Sequence, residues 1–292
     1  MSITEQTNPA SAGIDSLDTL GILRTIQEQD ALVPAAIARE IPRIAEAVEA
    51  VVKALRRGGR LIYVGAGTSG RIAALDAAEI PPTFGVAPET VQAVMAGGPR
   101  ALTRAVEGAE DDAAQARRDL AAKKIGARDV VIGIAASGRT PYTVEALRYA
   151  RSRRSTTVAI TANPGSALAL AARIAIVPET GPEVVGGSTR MKAALAQKMV
   201  LHMISTAAMV RLGHVYRNYM VGVRPTNKKL WERACSIIES VTGTDRETAD
   251  RTLKKSGKDV KVAIVMLRRG LGREAAQKLL ARLGGNLREI LG

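Results

Sequence analysis

Leu61-Ile62-Tyr63-Val64-Gly65-Ala66-Gly67-Thr68-Ser69-Gly70-Arg71 is the stretch that decides the fold. A short apolar strand runs into a turn of glycine, threonine and serine, and that turn opens a helix. Backbone N–H groups and hydroxyls at such a helix start make a seat for an anion. Downstream, Asp76-Ala77-Ala78-Glu79-Ile80-Pro81-Pro82-Thr83-Phe84-Gly85 predicts a helix of a few turns, stopped by the double proline, with the Glu79 carboxylate at its far end. A phosphate grip and an acid this close in sequence point to an enzyme acting on a phosphorylated small molecule.

The spacing Gly65-x-Gly67-x-x-Gly70 also satisfies the dinucleotide fingerprint. That reading needs an acid at the end of the second strand to hold a ribose. The expected second strand, 90–95, instead ends in Ala96-Gly97-Gly98. The Thr68 and Ser69 hydroxyls suit a terminal phosphate better than a pyrophosphate.

Working outward, continuous apolar runs at 61–64, 90–95, 129–134, 157–161 and 174–177 read as strands of a parallel sheet covered on both faces. Helices are expected between them at 71–79, 100–107, 111–124, 142–151 and 166–172. The pattern is that of an α/β, doubly wound domain. Ahead of it, Asp18 can cap a helix through Leu20, Leu23 and Ile26. A second helix, with Pro34 in its first turn, carries Ile37, Ile41, Ile44, Val48 and Val52 and stops at Gly58-Gly59. A long apolar helix is expected over 189–212. Beyond Pro225 the text is purely helical, with helices at 228–241, 246–255, 260–267 and 273–283, and Thr244-Asp245-Arg246-Glu247 predicts a capping box. These patterns divide the chain into a catalytic domain at 1–225 and a small helical domain at 226–292, whose last fifty residues form three helices.

Composition narrows the function. The 292 residues carry a net charge of +14, from 42 basic and 28 acidic side chains. The basic residues are scattered, and aromatics make up only 2% of the chain, so the stacking platforms of single-strand binders are missing. No nucleic-acid partner is expected, although the charge would attract a phosphate dianion. The first residues are polar, and the apolar segment 193–212 is interrupted by Gln197, Lys198 and His202, which reads as a buried helix and not a membrane span. The expectation is a cytoplasmic protein. Cys235 stands alone, and His202 and His214 offer neither metal-ligand spacing nor a triad, so neither metal nor cofactor is expected.

A second strand–turn–helix unit, Val130 to Pro141, repeats the first and offers Ser137, Gly138 and Thr140 at a helix start. Either turn alone could be ordinary capping; two from neighbouring parallel strands converge where open α/β sheets bind ligands. Gly186-Gly187-Ser188-Thr189-Arg190-Met191-Lys192 is a possible third anion corner. Its helix start disfavours Arg190 and Lys192 unless negative charge lies nearby. Glu110 precedes a helix, where an acid is favourable with or without a function.

The segments 65–85, 105–111, 134–142, 163–166 and 186–192, with Thr4-Glu5, Asn8-Pro9 and Ile14-Asp15, closely resemble the N-acetylmuramic acid 6-phosphate etherase family, built on the SIS phosphosugar-binding domain. The acid ahead of the double proline is the specific part; the glycine turns are shared across SIS proteins. The resemblance implies that Glu79 is the proton donor and Glu110 the second catalytic carboxylate. It further implies phosphate contacts from Ser69, Ser137 and Thr140, with Gly67, Thr68 and Gly138 in the same turns. The general SIS turn has a serine where this chain has Ala135. Also implied are a ubiquitin-associated-like C-terminal fold, a homodimer with sites at or near its interface, and cleavage of a D-lactyl ether by elimination and water re-addition. A position ahead of a helix suits Glu110 to be a base, and one near a helix end suits Glu79 to be an acid. Two alternatives stay open: an aldose–ketose phosphosugar isomerase, and a non-enzymatic SIS sensor of phosphosugars.

Overall fold

The computed structural model describes residues 2–292. Contacts divide the chain into two compact units, one formed by Met1–Ala78 and Glu89–Ser205, the other by Glu79–Pro88 and Thr206–Gly292. This division does not coincide with a boundary after residue 225: residues 206–225 and the short piece 79–88 go with the C-terminal helices.

The first unit opens with α1 (Thr19–Asp30), α2 (Val33–Ala38) and α3 (Ile41–Arg56). Asp18 caps α1, its carboxylate accepting from the Gly21 N–H at 2.7 Å, as its position suggests. The single helix expected over 34–57 is two. Pro42 sits in the first turn of α3, cannot donate to the carbonyl four residues back, and so starts a new helix.

Then follow β1 (Leu61–Gly65), α4 (Gly67–Phe84), β2 (Val91–Met95), α5 (Ala113–Ala122), β3 (Val130–Ile134), α6 (Pro141–Ser152), β4 (Thr156–Ile160), α7 (Ala167–Ala171), β5 (Ile174–Ile176) and α8 (Lys192–Arg211). All five strands are parallel, in the order β2-β1-β3-β4-β5, which is the doubly wound sheet expected. β1 and β3 are buried along their whole length, as strands with helices on both faces must be. Beneath the sheet, Arg60 Nη2 pairs with Asp129 Oδ2 at 2.8 Å while Arg60 Nε donates to Oδ1 at 3.1 Å. Burial pushes the Asp129 carboxyl up, but bonds from Arg60 and the Gly126 N–H outweigh it and hold the group below its ordinary value.

Two further expectations fail for local reasons. The helix at 100–107 is only a short 3-10 turn, Pro99–Leu102, after which the chain folds back. Val106 then lies on Gly97, where a Cβ would come within 2.9 Å of Val106 Cβ. And α4 does not stop at Pro81-Pro82 but runs on to Phe84. A proline's fixed φ is helical; the two prolines forfeit the hydrogen bonds to Ala77 and Ala78 without forcing an end.

By length and composition α8 could cross a membrane, but Val200, Leu201, Ile204, Ala208 and Met209 along it are all buried in the fold. The second unit comprises α9 (Lys228–Thr242), α10 (Arg246–Lys255), α11 (Val260–Arg269), α12 (Arg273–Arg282) and α13 (Leu287–Leu291) around Ile238, Leu253, Ile264 and Ala276. The expected capping box is a simpler cap: Asp245 accepts from the Thr248 N–H at 2.8 Å, and the Glu247 side chain does not reach back to close the box. Cys235 is an ordinary buried residue of this core. His214 Nδ1 bonds the Phe84 carbonyl oxygen at 2.8 Å. Burial, aided by the Lys261 charge, pushes the imidazole pKa down to about 4 against the pull of that bond.

Candidate active site

Because β1 and β3 are neighbours, with Gly65 opposite Ile134 in the register, the turns that leave them lie side by side at the C-terminal edge of the sheet. They enclose a cavity of about 590 Å³ whose walls include Gly67, Thr68 and Ser69 from the first turn and Ser137 and Thr140 from the second. A larger cavity of about 700 Å³ lies within the second unit; its one carboxylate, Asp259, is already the cap of α11. The smaller cavity, where both predicted turns meet, is the candidate site.

Sequence explains why the turns can sit so tightly. A Cβ on Gly70 would come within 2.8 Å of both the Gly65 carbonyl oxygen and Met95 Cγ, so glycine lets α4 begin directly against β1. Gly138 has φ +66°, and a Cβ there would run into Ser166 and Thr161. It shapes the second turn without lining the cavity.

The hydroxyls are available. Thr140 holds the N-cap position of α6, yet its side chain makes no capping bond. The Ser137 Oγ accepts only from the Arg139 N–H, at 3.3 Å. Ordinary capping thus leaves both free for a ligand. Ser69 is buried in the first turn of α4 with 8% of its surface exposed.

Glu110 lines the same cavity. Its carbonyl oxygen accepts from the Tyr142 N–H at 2.9 Å, which fastens its main chain to the first turn of α6. Asp112 caps α5 through the Gln115 N–H at 2.8 Å. Glu79 is exposed and is not among the residues that line this cavity.

The third corner is only partly present. Gly187 and Thr189 line the cavity, while Ser188, Arg190 and Lys192 do not. Lys192 is 1% exposed, and its ammonium donates to Gln29 Oε1 at 2.9 Å. The negative charge this helix start requires is internal: Glu183, also 1% exposed, accepts from the Lys192 N–H at 2.9 Å and the Ala193 N–H at 3.0 Å. Burial pushes the Glu183 carboxyl up and the Lys192 amine down, each opposed by the charge of the other. Nothing in the spacing of 183–193 announces this pairing.

Glu5 was not singled out by its sequence context, although its side chain also lines the cavity. Only the Thr4-Glu5 pair within the family resemblance drew attention to it.

Comparison with known proteins gives the family of the chain. The family model of the glucokinase regulatory protein N-terminal SIS domain matches residues 43–151, the SIS domain model residues 109–207, and the model of the C-terminal lid domain of glucokinase regulatory protein residues 217–268. The chain is 52% identical over 289 residues to an N-acetylmuramic acid 6-phosphate etherase of Pectobacterium atrosepticum, covering 99% of this chain and 95% of that one. It is 51% identical to an N-acetylmuramic acid 6-phosphate etherase of Yersinia pestis, covering 99% and 98%. Among solved structures, a phosphoheptose isomerase of Neisseria gonorrhoeae superposes with a TM-score of 0.50 at 18% identity, over 64% of this chain and 96% of that one; at that identity the likeness speaks to the fold alone.

Proposed function

We propose, from the premise that this chain belongs to the N-acetylmuramic acid 6-phosphate etherase family, that it is a carbon–oxygen lyase releasing D-lactate from N-acetylmuramic acid 6-phosphate and leaving N-acetylglucosamine 6-phosphate. The observation that carries this reading is a carboxylate, Glu110, beside two hydroxyl-bearing turns in one cavity. The turns suit a phosphate and the carboxylate suits proton transfer at the sugar. A sensor needs the first and not the second, and the full-length relatives are named etherases, not isomerases.

An alkyl ether has a poor leaving group, so direct displacement is slow. Opening the sugar ring exposes an aldehyde at C1 and makes the C2 proton acidic. Glu110 takes that proton; its electron pair becomes the C2–C3 double bond as the C3–O bond breaks. Glu79, which does not line this cavity in its own chain, acts from the second copy of the homodimer: it protonates the departing lactate oxygen, water adds to C3, and a proton returns to C2. Gly67, Thr68, Ser69, Ser137, Gly138 and Thr140 build the phosphate seat. Ser188, Arg190 and Lys192 are supporting residues of the neighbouring loop in this reading.

The chain works as a homodimer whose second copy completes the site. Supporting this, α1 buries none of its residues, and Leu17, Leu20 and Leu23 are 42%, 53% and 58% exposed. On α8 Met209 is fully buried, whereas Met199 and Met203 are half-buried and leave further apolar surface. We place the enzyme in the cytoplasm, in the recycling of cell-wall amino sugars. The deciding assay mixes purified protein with N-acetylmuramic acid 6-phosphate and measures D-lactate. Release supports the lyase; a ketose phosphate product with no lactate would support an isomerase.

A further inference from the structure

Three carboxylate-bearing residues line the cavity, Glu110 and its neighbour Asp111 ahead of α5 and, from the far end of the sequence, Glu5, carried there by the N-terminal segment. That segment is fastened on both sides of it. Asn163, 6% exposed, accepts from Ser2 Oγ at 2.6 Å and the Ile3 N–H at 2.7 Å, and donates to Thr4 Oγ1 at 3.2 Å and to the Ala136 carbonyl oxygen at 2.9 Å. One amide therefore uses its whole bonding capacity to tie residues 2–4 to the second phosphate turn. On the other side, Asn8 donates to Gln29 Oε1 at 2.8 Å and to the Pro182 carbonyl oxygen at 3.0 Å, and Ser11 Oγ donates to the Val184 carbonyl oxygen at 2.7 Å.

Between these anchors Glu5 ends a 3-10 turn, and its Oε2 lies over Gly187, at 3.4 Å from where a Cβ would stand. No ion pair or hydrogen bond engages the Glu5 carboxylate among the described residues. Glu5 is exposed to the cavity and carries a charge that repels a phosphate dianion, so a bound sugar phosphate would present it with a part other than the phosphate.

We propose that Glu5 is a substrate-contacting carboxylate that accepts a hydrogen bond from a hydroxyl or amide N–H of the sugar, away from its phosphate. It makes the site select an amino-sugar phosphate over a bare phosphate. This rests on the cavity being the substrate site of the lyase proposed above. The bond forms with the ground state as well as the transition state, so its loss appears mainly in KM.

The test uses the full-length chain, as wild type, Glu5→Ala and Glu5→Gln. It measures kcat and KM for lactate release and the inhibition constant of inorganic phosphate. Loss of a hydrogen bond to a charged acceptor should raise KM about 10-fold or more in Glu5→Ala. Phosphate inhibition should stay within about twofold, and Glu5→Gln, which keeps an amide oxygen, should recover part of the loss. An unchanged KM in Glu5→Ala would overturn the proposal. So would a parallel weakening of phosphate, because that is the signature of a collapsed turn. If the wild type releases no lactate, the lyase reading fails by itself; calorimetric binding of N-acetylglucosamine 6-phosphate to wild type and Glu5→Ala then still decides the role of Glu5.

Discussion

The Tyr142 N–H donates to the Glu110 carbonyl oxygen at 2.9 Å, so the main chain of the proposed base is fixed to the start of the helix that follows the second phosphate turn. Side-chain chemistry at Glu110 can therefore be altered without releasing its backbone. Glu110→Gln should lose about 100-fold or more in turnover, as removal of a general base typically does, with an unchanged melting temperature. Glu79→Gln should lose a similar factor. Near-normal turnover in either variant removes that residue from the mechanism.

Gly138→Ala tests the phosphate seat. Its φ of +66° and the crowding by Ser166 and Thr161 leave no room for a methyl group. The second turn must shift, and inorganic phosphate should bind at least about 10-fold more weakly, in line with a lost charge-assisted hydrogen bond. A calorimetric titration that matches the wild type would mean the turn is not part of the seat.

Tyr63, on β1, donates to Asp76 Oδ2 at 2.9 Å, and Ser205 Oγ donates to Asp76 Oδ1 at 3.2 Å, joining strand, α4 and α8 in the interior. Burial pushes the Asp76 carboxyl above its ordinary value despite these bonds. A raised acid contributes stability below its unfolded pKa and loses it as pH rises through the folded pKa, so ionised Asp76 depends on both donors. Tyr63→Phe should cost about 1–3 kcal/mol at alkaline pH, where Asp76 is ionised, with a smaller cost in acid, where it is protonated. Denaturant midpoints at the two pH values check this; equal costs would contradict it.

How much of this was legible in the sequence depended on whether the cause was local. The strand–turn–helix units at Gly65 and Ser137 were readable because apolar runs and glycines act over a few residues. Pro42 and Pro81-Pro82 show the ambiguity of one local signal: the first opens a helix and the second is carried inside one. The helix expected at 100–107 does not form because Val106 packing on Gly97 outweighs local propensity. Glu183 and Glu5 were invisible as site-shaping residues, since their partners are either distant in sequence or part of a cavity that only the folded chain forms.

His214 should make the second unit acid-sensitive. Its pKa falls from about 6.5 to about 4 on folding, so between those values the unfolded chain binds a proton that the folded one does not. Stability is therefore lost as pH falls through that window, by about 3 kcal/mol in all. His214→Asn, whose amide can still donate to the Phe84 carbonyl oxygen, should flatten the difference in midpoint between pH 7 and pH 4. An unchanged slope would exclude His214 as the cause.

The α1 leucines supply a test of assembly. Light scattering should give twice the chain mass for wild type, and the double change Leu20→Glu, Leu23→Glu should give a monomer with little lactate release. A fully active monomer would rule out a site completed by a second copy.

The elimination itself is tested most directly by running the reaction in heavy-oxygen water. If Glu110 takes the C2 proton and water returns at the sugar, the C3–O bond is the one that breaks. The label must then appear at C3 of N-acetylglucosamine 6-phosphate, with an unlabelled lactate hydroxyl. Label in the lactate hydroxyl would mean attack at the lactyl carbon and would contradict the roles given to both glutamates.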